Sequence, residues 1–212
     1  MTTFYIAFDE LDAKLGTYFL QSKDDIVNFI SDNYPNFSMT MIPSELCNEN
    51  HINEIFNNLE DSKFIFLAYS HGNNDSLHGQ NSWYIRTPQN ISSFKNTFFY
   101  SMACNTGKQL GFDLVHSGCS AFIGYSSTAY AALTEERNTF IQCDNFGFKE
   151  FLHGKTVDEA FKGMKLFMRD NIKRLVRERK GLIAGYLRSN LASLVIHGNK
   201  TFVIGDLELE EN

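Results

Sequence analysis

Apolar positions along this chain alternate between two rhythms, and the alternation predicts an α/β architecture. Thr3 to Phe8 reads as a first strand, and Ser22 to Asn33 as a helix with Ser22 at its N-cap and Ile26, Phe29 and Ile30 on one face. Phe37 to Ile42 reads as a second strand, and Asn48 to Leu59 repeats the helical spacing through Ile52, Ile55, Phe56 and Leu59. Lys63 to Ser70 is almost continuously apolar, as a strand buried on both faces of a parallel sheet requires. A strand at Thr97 to Ala103, a helix at Lys108 to His116 and a strand at Ser120 to Tyr125 continue the doubly wound plan. Between Ser70 and Thr97 lies a polar segment rich in Asn, Ser and Gly. It is expected to hang over the sheet edge, with a small hairpin at Trp83 to Ile85.

Beyond Gly124 the pattern turns helical, at Leu133 to Leu152, Thr156 to Arg177 and Leu182 to Leu191. Leu194 to Ile196 and Thr201 to Ile204 then read as short strands or a hairpin around His197-Gly198-Asn199, and the acidic Leu207 to Asn212 is expected to fray. The helix from Thr156 puts Phe161, Met164, Met168, Ile172 and Leu175 on one face. Its Lys165, Arg169, Lys173, Arg174 and Arg177, with Arg179 and Lys180 just beyond, read as a solvated side.

Composition narrows the class without changing the plan. With 212 residues, 43% of them hydrophobic, and no internal repeat or low-complexity stretch, residues 1–212 are expected to form one domain. A net charge of −6 argues against nucleic acid as a main partner, so such contact is expected only indirectly if at all. The N-terminus carries no basic leader, and no apolar run approaches the roughly 18 residues of a membrane span. A cytoplasmic protein without membrane contact is the expectation. Cys47, Cys104, Cys119 and Cys143 lack CxxC spacing and read as reduced thiols rather than a zinc knuckle or disulfide framework.

In open α/β sheets, sites form at the carboxyl ends of the strands. Two such ends carry reactive side chains: Lys63 to Ser70 runs into His71-Gly72, and Thr97 to Ala103 runs into Cys104-Asn105-Thr106-Gly107. A thiol is already a few per cent thiolate at neutral pH, and a histidine can take its proton and return it to a leaving amine. The Gly72 N–H, approachable because glycine has no Cβ, and the N–H of Cys104 are candidates for an oxyanion hole. Residues 105 to 107 are expected to open a helix whose N-terminus favours a nearby anion.

Tyr69-Ser70-His71-Gly72 and Ser101-Met102-Ala103-Cys104-Asn105-Thr106-Gly107 resemble the paired His-Gly and Ala-Cys-x-Thr-Gly motifs of CHAT-domain peptidases, relatives of caspases, separase and gingipains. Ala121 to Gly124 resembles the next strand of that family, Phe148 to Ala160 its helix–Gly-Lys-Thr–helix segment, and Leu194 to Asn199 its terminal strand and turn, where the family often has Gly-Asp-Pro. The resemblance spans roughly residues 63 to 204 in the family's order. It implies a caspase-like fold, with a mostly parallel central sheet flanked by helices on both faces. It also implies peptide hydrolysis through a thioester with His71 and Cys104 as the catalytic pair, Gly72 as an oxyanion contributor, and no metal or organic cofactor. In that fold Ser101, Met102, Tyr125, Ser126 and Ser127 are expected to line the pocket for the side chain preceding the cut bond. Met102 cannot pair with a buried charge, so an apolar residue there is expected unless Glu135, Glu136 or Asp144 reaches in.

By analogy with bacterial defence and cell-death modules, activation by a protein partner and cleavage of a limited set of protein targets are expected. The competing readings are an inactive caspase-like binding module and a flavodoxin-like nucleotide or receiver domain. The latter lacks its glycine-rich loop, since Asp9-Glu10 follows the first strand. His197, at the end of another apolar strand, is the alternative histidine, and Cys47, Cys119 and Cys143 read as structural.

Overall fold

A computed structural model describes residues 3–56, 59, 62–80 and 82–207. The elements in chain order are β1 (Thr3–Phe8), α1 (Gly16–Asn33), β2 (Ser38–Ile42), α2 (Glu49–Phe56), β3 (Phe64–Tyr69), β4 (His71–Gly72), β5 (Ser76–His78), β6 (Trp83–Arg86), β7 (Phe98–Ser101), α3 (Gln109–His116), β8 (Ala121–Tyr125), α4 (Arg137–Leu152), α5 (Val157–Arg177), α6 (Gly181–Ser193) and β9 (Leu194–Gly198). A six-stranded sheet runs in the order β2-β1-β3-β7-β8-β9. All its pairings are parallel except the last, in which β9 returns antiparallel to β8.

Because side chains alternate across a strand, each central strand feeds two cores. Phe4, Ile6, Ile65, Leu67, Phe98, Tyr100 and Ile123 face α1, α4, α5 and α6, while Tyr5, Ala7, Phe64, Phe66, Phe99 and Phe122 face α2, α3 and the small sheet β4-β5-β6. Both faces are therefore covered, and the mostly parallel α/β plan read from the sequence is the one the chain adopts. Each fully buried aromatic contributes about 1.5–3 kcal/mol relative to exposure, which the layered Phe56, Phe66, Phe94 and Phe99 rings collect on one side.

Besides a start of α4 at Arg137 rather than Leu133, four departures from the sequence reading bear on the fold. First, α1 starts at Gly16 and Ser22 is no cap: it sits on the buried stripe Tyr18-Ser22-Ile26-Ile30 with its Oγ unpaired. The helix start is prepared instead by Asp12, whose Oδ1 accepts from the Lys14 and Leu15 N–H groups at 2.9 and 2.6 Å. Second, the polar segment after Ser70 is not a fringe. Leu77, Tyr84 and Ile85 are fully buried in the second core, because β6 packs on α2. Third, Thr201 to Ile204 forms no strand, since the backbone here serves the start of α5: the carbonyls of Phe202 and the preceding Lys200 accept from Val157 and Asp158 N–H at 2.9 and 3.0 Å. Fourth, the helix expected over Asn48 to Leu59 is described as Glu49–Phe56, and Leu59 is not helical. Residues 57–58 of the expected helix and the expected frayed tail 208–212 lie outside the described residues. Thr156 caps α5 through a reciprocal capping box with Glu159.

The turn from β1 into α1 tolerates no side chain at Gly16, where a Cβ would stand 2.2 Å from the Glu10 carbonyl oxygen. Gly16→Ala is expected to destabilise the fold by about 1–3 kcal/mol, as overpacking against backbone does. A urea midpoint unchanged from wild type would show that the turn yields at no cost.

Candidate active site

The carboxyl ends of β1, β3 and β7 lie side by side because these strands are consecutive, parallel neighbours. Each delivers one polar side chain to the rim: Asp12 after β1, His71 after β3 and Cys104 after β7. His71 and Cys104 line one cleft together with Tyr18, Phe19, Met102, Ala129 and Asp144. The cleft has a volume of ≈ 30 Å³, room for one or two waters. Larger hollows exist, including one of ≈ 700 Å³ beside Lys173, Val176, Arg177 and Arg188 of α5 and α6, but neither candidate reactive residue opens into it.

His71 is held from two sides. Its Nε2 lies 3.1 Å from Asp12 Oδ2, and the Phe19 ring meets the imidazole edge-on at 5.5 Å. Partial burial pushes the Asp12 carboxyl up, but the Leu15 and Lys14 N–H groups and then His71 outweigh it and hold the carboxyl below its ordinary value. Asp12 is thus an ionised acceptor for an imidazole N–H. Sequence reasoning passed over it, although its place just beyond the first strand was the available signal.

Cys104 is half-buried, whereas Cys47, Cys119 and Cys143 are fully enclosed. Burial pushes the Cys47 and Cys119 thiols up to about 12, and Cys143 higher still, which leaves them protonated at neutral pH. The residue after Cys104, Asn105, has φ 62°, a left-handed conformation that asparagine tolerates better than most side chains. The tight turn there delays α3, whose first N–H groups, on Gln109 and Leu110, are taken by the Asn74 carbonyl at 3.1 and 2.8 Å. The helix N-terminus expected at residues 105 to 107 is therefore displaced and already occupied.

Gly72 is glycine for a reason other than substrate approach. A Cβ there would fall 2.6 Å from Thr106 Cγ2 and 2.9 Å from both Ala103 Cβ and the Cys104 carbonyl, so the glycine lets the two motif loops pack. Asn73 N–H donates to the Ser76 carbonyl at 3.0 Å, which makes the adjacent Gly72–Leu77 pair the non-hydrogen-bonded kind. The Gly72 N–H consequently points away from β5.

Of the expected pocket residues, Met102 lines the cleft. Ser101 lies beneath it, its Oγ 3.1 Å from Thr106 Oγ1, and Ser126 turns aside to donate to the Ser193 carbonyl at 2.9 Å. Ser127 offers its carbonyl to Asn105 N–H at 3.0 Å. Tyr125 is fully buried and acts from below: its hydroxyl and that of Tyr18 each donate to Asp144 at 2.6 Å. Desolvation pushes the Asp144 carboxyl up to about 6 against the pull of these two hydroxyls. Of the three carboxylates with a possible reach into the pocket, only Asp144 lines the cleft. Glu136 is locked by Arg174 and Lys180, whose hydrogen bonds, with that of Thr139, lower it to about 2, and Glu135 is exposed. Arg174 and Lys180 are accordingly structural cations rather than free members of the solvated side. His197 lies on β9, opposite Phe122, with Nε2 2.7 Å from the Gly107 carbonyl, away from the cleft.

No protein-family model matches the sequence, and no curated protein matches it. Among solved structures, the fold is similar to the Arg-specific cysteine proteinase gingipain R, with a TM-score of 0.65 and 12% identity over 95% of this chain and 47% of that one. The chain thus spans about half of gingipain R. A secreted cysteine protease from Bacteroides thetaiotaomicron, in complex with an irreversible peptide inhibitor, aligns with a TM-score of 0.45 and 9% identity over 67% of this chain and 57% of that one. The fold is caspase-like. Among the described residues no helix is long and apolar enough to cross a membrane.

Proposed function

We propose that this chain is a cysteine endopeptidase of the CHAT type, with Cys104 as nucleophile, His71 as proton shuttle and Asp12 as the group that orients His71. The observation that carries the reading is the convergence of Cys104 and His71 on one cleft, with Asp12 3.1 Å from the imidazole nitrogen. In the proposed reaction the Cys104 thiol passes its proton to His71 and the sulfur attacks the peptide carbonyl. The N–H groups of Gly72 and Cys104 receive the developing oxyanion. His71 then protonates the departing amine, and a water activated by the same imidazole hydrolyses the thioester, which restores the thiol. No step of this chemistry calls on a cofactor.

Gingipain R is described as Arg-specific, and this chain has its own reason to favour a basic residue before the cut bond. Asp144 is a buried carboxylate beside the nucleophile whose described partners are two neutral hydroxyls, so a Lys or Arg side chain would supply the missing cation. Met102 would then pack along the aliphatic stem. This replaces the apolar preference expected from Met102 alone. A cytoplasmic location, a small set of protein targets and activation by a protein partner in a bacterial defence or cell-death module complete the proposal.

The runner-up, an inactive binding module, draws support from the narrowness of the cleft. A screen of protein substrates against wild type and Cys104→Ala separates the two: cleavage by wild type alone, with labelling of Cys104 by a peptide chloromethyl ketone, supports the peptidase, and absence of both cleavage and labelling favours the module. For Asp12, Asp12→Ala is expected to lower kcat/KM by about 10²-fold, the order of a general acid–base contribution, with recovery in Asp12→Glu. An unchanged kcat/KM in Asp12→Ala removes Asp12 from the mechanism.

A further inference from the structure

We propose that residues 126–131 form a closed strap over Cys104, and that Asn190 of α6 is the positioning residue that latches it. The proposal rests on the reading of Cys104 as nucleophile for its consequence, while the strap itself is a matter of geometry. The segment leaves the sheet at Tyr125 as irregular backbone, and its Ala129, Tyr130 and Ala131 form part of the cleft wall. Ala129 N–H donates to Cys104 Sγ at 3.2 Å, and the Ala129 carbonyl lies 3.6 Å from the same sulfur. The position a scissile peptide must take against the thiol is therefore filled by the chain's own backbone.

The strap is held chiefly by one helix. At its start, the N–H and Oγ of Ser126 both donate to the carbonyl of Ser193, at 2.7 and 2.9 Å. One residue past the thiol contact, Asn190 Oδ1 accepts from Tyr130 N–H and Asn190 Nδ2 donates to the Tyr130 carbonyl, both at 2.8 Å. That amide engages the backbone donor and acceptor of a single residue, as a strand partner does, and fixes one register. Asn190 is fully buried, so opening the strap would strand both of its polar groups until water reached them. Above it the Tyr130 and Tyr186 rings stack at 4.9 Å and 13°. Tyr186 and Asn190 stand one turn apart on α6, and Ser193 ends the helix, so a shift of α6 releases all three ties together. The cleft of ≈ 30 Å³ is the closed state of this device, and a substrate enters only after the strap lifts.

The test is the rate at which iodoacetamide alkylates each cysteine of the intact chain, followed by peptide mass spectrometry. In Asn190→Ala, Cys104 is expected to react faster than in wild type by roughly tenfold or more, as a local opening equilibrium shifts, while Cys47, Cys119 and Cys143 stay protected. Because a buried asparagine can be needed for folding, Tyr186→Ala, which removes only a half-exposed ring, is expected to give a smaller selective increase. Unchanged Cys104 reactivity in both variants overturns the strap, as does a rise of all four thiols together in Asn190→Ala with no change in Tyr186→Ala. Selective unmasking of Cys104 without turnover of any protein substrate supports the strap and counts against the peptidase reading alone.

Discussion

Cys104→Ala is expected to abolish cleavage, with kcat/KM falling by about 10⁴-fold or more, and His71→Ala to do the same, because a nucleophile and its proton shuttle act as one unit. Neither change should unfold the protein. Cys104 is half-buried and, among the described residues, its sulfur's hydrogen bonds are the two to Ala129, while the His71 side chain is 44% exposed. Far-ultraviolet circular dichroism and urea midpoints close to wild type are the matching controls. His197→Ala provides the contrast: from β9 it loses a bond to the carbonyl of Gly107, in the turn before α3, and is expected to retain chemistry. Full activity in Cys104→Ala, or loss in His197→Ala with retention in His71→Ala, would overturn the assignment.

The second large effect concerns Asp144. A positional peptide library is expected to select Lys or Arg before the scissile bond, and Asp144→Asn to reduce that selection by about 10²–10³-fold, the range for removing one partner of a buried ion pair. The pH dependence follows from the raised carboxyl. With Asp144 pushed up to about 6, basic selection should grow as pH rises through that value and fade below it. The stability effect has the opposite slope. A carboxyl raised above its unfolded value near 3.8 favours the folded state at low pH, and that contribution is lost as pH rises from about 3.8 through about 6. Asp144→Asn should flatten this part of the stability curve. Selection of an apolar residue, unaffected by Asp144→Asn, would restore the preference expected from Met102.

These expectations draw on residues of unequal visibility in the sequence. The strands and their parallel arrangement were legible because Phe64 to Tyr69 and Phe98 to Tyr100 are unbroken apolar runs, and the strands they form lead to His71 and Cys104. The start of α1 was not, because its stripe passes through the polar Ser22 and its cap is prepared four residues upstream by Asp12. Of the small sheet only the hairpin strand at Trp83 to Ile85 was legible; its burial was hidden by composition, since the apolar Leu77, Tyr84 and Ile85 stand among many Asn, Ser and Gly that leave no period to read. Asp144 was visible only as a possibility, since nothing local in a helix announces that Tyr18 and Tyr125, distant in sequence, will hold its carboxylate. A loop after Tyr125 was expected, but what ties the strap down was invisible for the same reason. Its ties to Asn190 and Ser193 join residues some sixty positions apart.

The order of the chain gives the latch a place in time as well as in space. Translation delivers β1, β3, β7 and β8, and with them Asp12, His71 and Cys104, before any of α6 exists. At about 5–20 residues per second, the ribosome then takes seconds more to supply Tyr186, Asn190 and Ser193. A nascent or prematurely terminated chain thus carries the thiol under an unlatched strap, and the restraint is the last part of the site to be synthesised.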